Sequence, residues 1–312
     1  MDAGGTGRGS LPELLKILPT RLRYSRRLTR LFRWGPAWEK ACAQRLLLER
    51  PAWPGVTGNE QVVYLICLIG RDRAKDWRRV GALLRQTLEA LLAQADPRWQ
   101  AIICGQDWPE GMPEDRRIQF LPFTAAPEDT PPHDKNDKYD RLTDWVRQSG
   151  IETGYAFLLD GDDVPHPDLT GYILSDNNGT GYLLDQGYML AVGTRRGRVL
   201  GHRSLRDGRL ENNTFFRNCG SCVAAYFDNR RGGWGTALLE GVVKVPHGRL
   251  PELTRLMGVR LGWVPFPAMC YLILHGENDY VGRQVPPKLS EARVREISRA
   301  FPGLYFPEAS EG

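Results

Sequence analysis

No stretch of this sequence approaches the roughly 18 to 20 uninterrupted apolar residues that a membrane-spanning helix requires. The opening MDAGGTGRGS lacks the apolar core of a secretory signal, and the two absences together favour a cytoplasmic protein. Cysteine is sparse, with 6 in 312 residues, and Cys67, Cys104 and Cys270 sit in apolar, strand-like runs. That placement argues against a disulfide framework. The one close pair, Cys219 and Cys222 in CGSC, has no second CxxC to complete a zinc site and falls too late for a thioredoxin-type motif, so it reads as a packed loop. Outside the N-terminal arm, charge of one sign forms no long blocks. The net charge of +5 is spread among mixed Lys, Arg, Asp and Glu, which gives no ground for a nucleic-acid partner. Internal repeats and low-complexity tracts are also missing.

With 41% hydrophobic residues, the chain can fill the core of one large α/β domain or two small ones. Residues 1–58 form a first regime. In LPELLKILPTRLRYSRRLTRLFRWGPAW, Leu28, Leu31 and Phe32 are interleaved with Arg23, Arg26, Arg27, Arg30 and Arg33. This is a basic, amphipathic helical arm, suited either to an anionic membrane surface or to packing on its own domain. The Pro- and Gly-bearing PAWPGVTGNE then marks a boundary, and residues 59–312 form the second regime.

There QVVYLICLIG reads as a buried strand, and the next segment places Val80, Leu83, Leu84, Leu88, Leu91 and Leu92 on one helical face before Pro97. WQAIICG and RIQFLPF are further strands. Strand, helix and strand at this spacing predict a parallel sheet with helices on its faces. TAAPEDTPPHDKND reads as a loop, KYDRLTDWVRQSG as a helix and YAFLLD as a fourth strand. Helices are also expected in HPDLTGYILSD and LPELTRLMG, with shorter strands in GYLLDQGYMLAVG and GRVLGHRSLRDG.

The fourth strand stops in Asp160, Gly161, Asp162 and Asp163, beyond a carboxyl end where open α/β sheets gather ligands. Three adjacent carboxylates raise one another's pKa unless a cation lies between them. A Mg²⁺ or Mn²⁺ ion shared with substrate phosphates would resolve the conflict. Gly161 would allow a sharp turn and leave room for a ligand. The plainer alternative is an acidic cap on the helix that follows, for which one carboxylate suffices.

FLLDGDD resembles the DxD motif of nucleotide-sugar-dependent glycosyltransferases of the GT-A fold. The ordered set VYLICLIGRDR, AIICGQDWP, DKNDKYDRL, FLLDGDDVPHPDL, NCGSC and HGEN, from about Gln61 to Gly282, is similar to bacterial GT-A enzymes of surface-polysaccharide type. The resemblance implies a Rossmann-like, mostly parallel sheet flanked by helices. It also implies a nucleoside diphosphate sugar as donor and a carbohydrate or glycolipid as acceptor. Asp162 would bind the metal, Asp160 would contact the donor ribose or a metal-bound water, and Asp163 would brace the site or face the sugar. Ile69, Gly70 and Arg71 would border the nucleoside, with Asp107 near the base. Lys135, Lys138 and Arg141 are the candidates for the diphosphate. His275 would complete the metal site, with His247 as its rival. Glu240 and Asp228 are the candidate bases for an inverting reaction.

Two other classes compete. LLDGDD also resembles the motif of haloacid-dehalogenase-like phosphatases, although there it follows the first strand. A non-catalytic basic adaptor acting through the arm is the other. For the arm, peripheral contact at the inner face of a membrane is one option beside a purely cytoplasmic location.

Overall fold

The computed structural model describes residues 55–124, 134–201, 205–206, 209–210, 213–278 and 285–307. Nearly all of the basic arm, residues 1–54, lies outside them, and so does the last part of the resemblance. Strands β1 (Gln61–Cys67), β2 (Trp99–Gly105), β3 (Ile118–Pro122) and β4 (Thr153–Asp160) are parallel, with β1 between β4 and β2. Val62 through Ile66 expose no surface on either face, which is why this strand reads as a continuous apolar run rather than an alternation.

Between β1 and β2, α1 (Trp77–Leu92) is capped by Asp76, whose side chain accepts the N–H of Arg79. It buries Val80, Leu83, Leu84, Leu88 and Leu91, as the periodicity predicts. Helix α2 (Asp134–Gln148) starts at Asp134 rather than at Lys138, with Asp134 and Asp137 in its first turn, where carboxylates complement the helix dipole.

Past β4 the chain makes β5 (Val164–Pro165), α3 (Leu169–Asp176), β6 (Gly181–Leu183), β7 (Gly187–Ala191) and β8 (Arg196–Leu200). A two-stranded ribbon of β9 (Leu205–Arg206) and β10 (Arg209–Leu210) and the short α4 (Phe215–Asn218) lead to β11 (Val223–Asp228). Then come α5 (Ala237–Val242), α6 (Leu250–Leu256), β12 (Gly262–Trp263), β13 (Met269–Ile273) and α7 (Glu291–Ala300). The large sheet has the order β12-β6-β11-β4-β1-β2-β3, and a smaller one the order β5-β13-β7-β8. The architecture is α/β with a mostly parallel central sheet flanked by helices. Strand β11 is the exception, antiparallel to both β4 and β6 and buried along its whole length. Among the described residues, no helix is long and apolar enough to cross a membrane.

One carboxylate ties the sheet to its surroundings. Glu60, just before β1, accepts hydrogen bonds from the N–H groups of Thr57 and Gly58, the Thr57 and Thr153 hydroxyls and Asn177 Nδ2. Burial pushes its carboxyl up, but these donors outweigh burial and hold it at about 2, below the ordinary 4.5. A depressed acid stabilises the fold above its unfolded pKa and loses that contribution as pH falls through the folded value. Thermal melts of the wild type are therefore expected to weaken between pH 4.5 and about 2, and Glu60→Gln to flatten that limb. An identical acid limb in the variant would contradict the assignment.

Candidate functional site

The acidic turn is the bridge between the two sheets. β4 ends at Asp160 in the large sheet and β5 begins at Val164 in the small one, and Asp163 N–H closes the turn on Asp160 O at 3.2 Å. Register aligns Asp160 with Cys67 at the carboxyl edge of β1. On the other side, β5 pairs with β13, whose chain then continues to His275.

Within this turn each carboxylate has its own partner. Lys135 Nζ lies 2.8 Å from Asp160 Oδ1. Burial pushes the Asp160 carboxyl up, but the Lys135 ammonium more than reverses this, with His247 helping, and the net displacement is downward. In return, Asp160 holds the Lys135 ammonium well above the usual lysine value. Asp162 Oδ2 lies 2.9 Å from Nε2 of the buried His275. Asp163 is fully buried and accepts hydrogen bonds from Ser221 Oγ at 2.5 Å, Cys219 Sγ at 3.1 Å and Leu272 N at 3.2 Å. Burial drives its carboxyl well up, and the charges of Asp162 and Asp160 add to the effect.

The CGSC loop is the floor of this turn. Ser221 Oγ also accepts the backbone N–H of Asp160 at 2.8 Å. Gly220 lies close under the turn, and a Cβ there would stand 2.9 Å from Asp160 Oδ2 and push that carboxylate aside. The described cysteines are free thiols, and burial pushes both Cys219 and Cys222 well above the ordinary value. Thiols so raised neither attack nor bind metal readily. Gly161 differs from its expected role. Its φ is not positive, and a Cβ there would rest against Ile66 and Leu84 at 3.4 Å rather than in open space.

Beside the turn, the carboxyl ends of β1 and β2 bring Ile69, Arg71 and Asp107 together, with Arg71 N–H donating to Asp107 Oδ2 at 2.9 Å. Lys138 points elsewhere. Buried one turn inside α2, it donates to Leu68 O at 2.7 Å and Asp134 Oδ2 at 2.9 Å. Arg73 and Gln106 converge on the same Asp134 oxygen. Lys138 thus fastens α2 to the end of β1, and Lys135 is the half-exposed lysine that faces the turn. Arg141 is exposed further along α2 and lines a hollow with Leu121, Asp144 and Trp145.

Neither candidate base reaches the turn. Because β11 is antiparallel, Asp228 lies opposite Thr153 at the far end of the eight-residue β4, on the order of 20 Å from Asp160. There it is fully buried and paired with Arg230. Glu240 pairs with Arg147 in the last turn of α2, at that same far edge. Of the two histidines, His275 meets Asp162, whereas His247 bonds through Nδ1 to Phe216 O at 2.5 Å. Sequence reasoning passed over Ser221 and Glu277 as individual residues and read Cys219 only as part of a packed loop, although NCGSC and HGEN were among the segments that carried the resemblance.

Among the described residues no group of three or more His, Cys, Asp and Glu side chains is arranged as a metal cluster. A two-ligand set does fit. His275 Nε2 is buried without an aligned hydrogen bond and faces a carboxylate oxygen; an orphaned buried nitrogen of this kind suits a cation that keeps its other positions for substrate. The Glu277 N–H approaches Nδ1 at 3.3 Å, which favours the ring proton on Nε2 in the free site, so coordination there would shift it to Nδ1.

No protein-family model and no curated protein matches the chain. Among solved structures, it is similar to the glycosyltransferase GlyE of Streptococcus pneumoniae TIGR4, with 11% identity and a TM-score of 0.38 over 76% of this chain and 59% of that one. It therefore spans less than two thirds of that protein's length. A protein from Desulfovibrio desulfuricans G20 assigned as a nucleotide-diphospho-sugar transferase gives 10% identity and a TM-score of 0.31, over 77% of this chain and 96% of that one.

Proposed function

We propose that this chain is a metal-dependent glycosyltransferase of the GT-A type, moving a sugar from a nucleoside diphosphate sugar to a carbohydrate or glycolipid acceptor of surface-polysaccharide type. One juxtaposition carries the reading. Asp160, Asp162, Lys135 and His275 meet at the carboxyl edge of β4, next to the loops of Ile69, Arg71 and Asp107.

Asp162 and His275 would hold Mg²⁺ or Mn²⁺, which when bound supplies Lewis-acid stabilisation of the charge growing on the departing nucleoside diphosphate. Lys135 is half-exposed and can turn its ammonium from Asp160 to a phosphate oxygen, adding a fixed positive charge where negative charge develops. Asp160 is then released toward the donor ribose. Asp163 takes no part in proton transfer, because its oxygens are occupied by Ser221, Cys219 and the Leu272 N–H. Ile69 and Arg71 would border the nucleoside.

A panel of nucleotide sugars screened by thermal shift, with and without Mn²⁺, tests the reading, since a ligand that binds only the folded state raises its midpoint. A rise for at least one donor that depends on Mn²⁺ is expected. No rise for any donor would overturn it. The arm, residues 1–58, would hold the site at an anionic membrane surface through its arginines. Full-length protein is expected to sediment with anionic vesicles at low salt and to lose this when the arm is deleted. Equal sedimentation of the deleted chain would assign the arm to packing instead.

A further inference from the structure

The loop after β13 does not end freely; it is fastened to the segment that starts α1. The carboxylate of Glu277 accepts two backbone N–H groups there, from Lys75 at 3.0 Å and Asp76 at 2.8 Å. Lys75 Nζ donates to Gly276 O at 2.8 Å, and Arg79 reaches His275 O at 3.2 Å. On the other flank, Asn278 Nδ2 donates to Leu272 O at 3.1 Å. The loop is bent to make these contacts. Leu274 has a φ of +61° and Gly276 of +92°, and a leucine stays in the left-handed region only where its surroundings hold it.

Sequence distance makes the contact informative. Lys75 and Asp76 close the loop that carries Ile69, Arg71 and Arg73 out of β1, whereas Glu277 lies two residues after His275. One carboxylate therefore clasps the flank that borders the nucleoside to the flank that presents the imidazole. We propose that Glu277 is a positioning residue, holding the 275–278 loop on the start of α1 so that His275 faces Asp162; this rests on the metal-site reading above. Its carboxylate, not its amide, carries the role, because a cation at Nε2 would part the amide from Nδ1 and leave the clasp on Lys75 and Asp76 untouched.

The test compares wild type, Glu277→Ala and Glu277→Gln as full chains. Glu277→Ala is expected to weaken Mn²⁺ binding, measured by calorimetry, about tenfold or more, as loss of an orienting partner does. Glu277→Gln, which keeps one acceptor oxygen, should recover part of the loss. Cooperative thermal unfolding of both variants separates this from global damage, and hydrogen exchange should show lost protection at the Lys75 and Asp76 amides. Mn²⁺ affinity in Glu277→Ala within about twofold of wild type would overturn the proposal. If wild type binds no Mn²⁺, the metal reading itself fails, and the clasp is then judged by carbethoxylation of His275. The wild-type ring is buried and is expected to resist the reagent, and Glu277→Ala should expose it. Equal protection in the two proteins would overturn the clasp independently of any metal.

Discussion

Asp162→Asn is expected to lower kcat/KM for sugar transfer by on the order of a hundredfold or more, while the ligand-free thermal midpoint stays close to that of wild type. Asp162 is partly exposed, and among the described residues its side chain faces His275. The amide is nearly isosteric and can still face that ring, so the fold loses little. A neutral amide is a poor ligand for a hard cation, so cation-dependent donor binding is lost. Release of nucleoside diphosphate in the presence of Mn²⁺, read beside an unfolding curve, measures both effects. Unchanged kcat/KM would remove Asp162 from the site.

Asp163→Ala is expected to produce the opposite pattern, a large loss of stability. The carboxyl is fully buried where the two sheets meet, and its removal leaves Ser221 Oγ, Cys219 Sγ and Leu272 N–H without their acceptor. Orphaned buried donors cost about 1–3 kcal/mol each, and because the cavity relaxes in part, the expected total is about 3 kcal/mol or more. Chemical denaturation should show a lower midpoint with an unchanged slope. Asp163→Asn keeps one acceptor oxygen and the shape, and should cost less. The inward face of Asp163 is then the structural half of the motif and Asp162 the functional half. Wild-type stability in Asp163→Ala would dissolve that division.

What was legible in the sequence follows what is local. β1, α1, β2 and β4 were readable because their apolar patterns are set by the burial of single elements, and the position of the acidic turn at the carboxyl edge of the sheet followed from where YAFLLD stops. β11 was not read, because the CGSC loop before it was weighed only for its thiols and VAAYFD takes its place by pairing with β4 and β6. Its reversed direction is also why Asp228 sits at the opposite end of β4 from the acidic turn. The start of α2 was hidden by the prolines that precede it. With Asp134 read as a loop residue and Lys138 as the first of the helix, nothing pointed to Asp134, one turn earlier, as its partner. Repulsion among three carboxylates was a sound inference from their adjacency. What adjacency could not reveal is that each carboxylate faces a different partner, Asp160 Lys135, Asp162 His275 and Asp163 the Ser221 loop.

Calorimetric titration of wild-type protein with nucleoside diphosphates, in Mn²⁺ and again in chelator, tests the central claim most directly. The site at the end of β4 predicts saturable binding of at least one nucleoside diphosphate in Mn²⁺, weakened about tenfold or more when the cation is removed. Absence of binding by every nucleoside diphosphate under both conditions would contradict it.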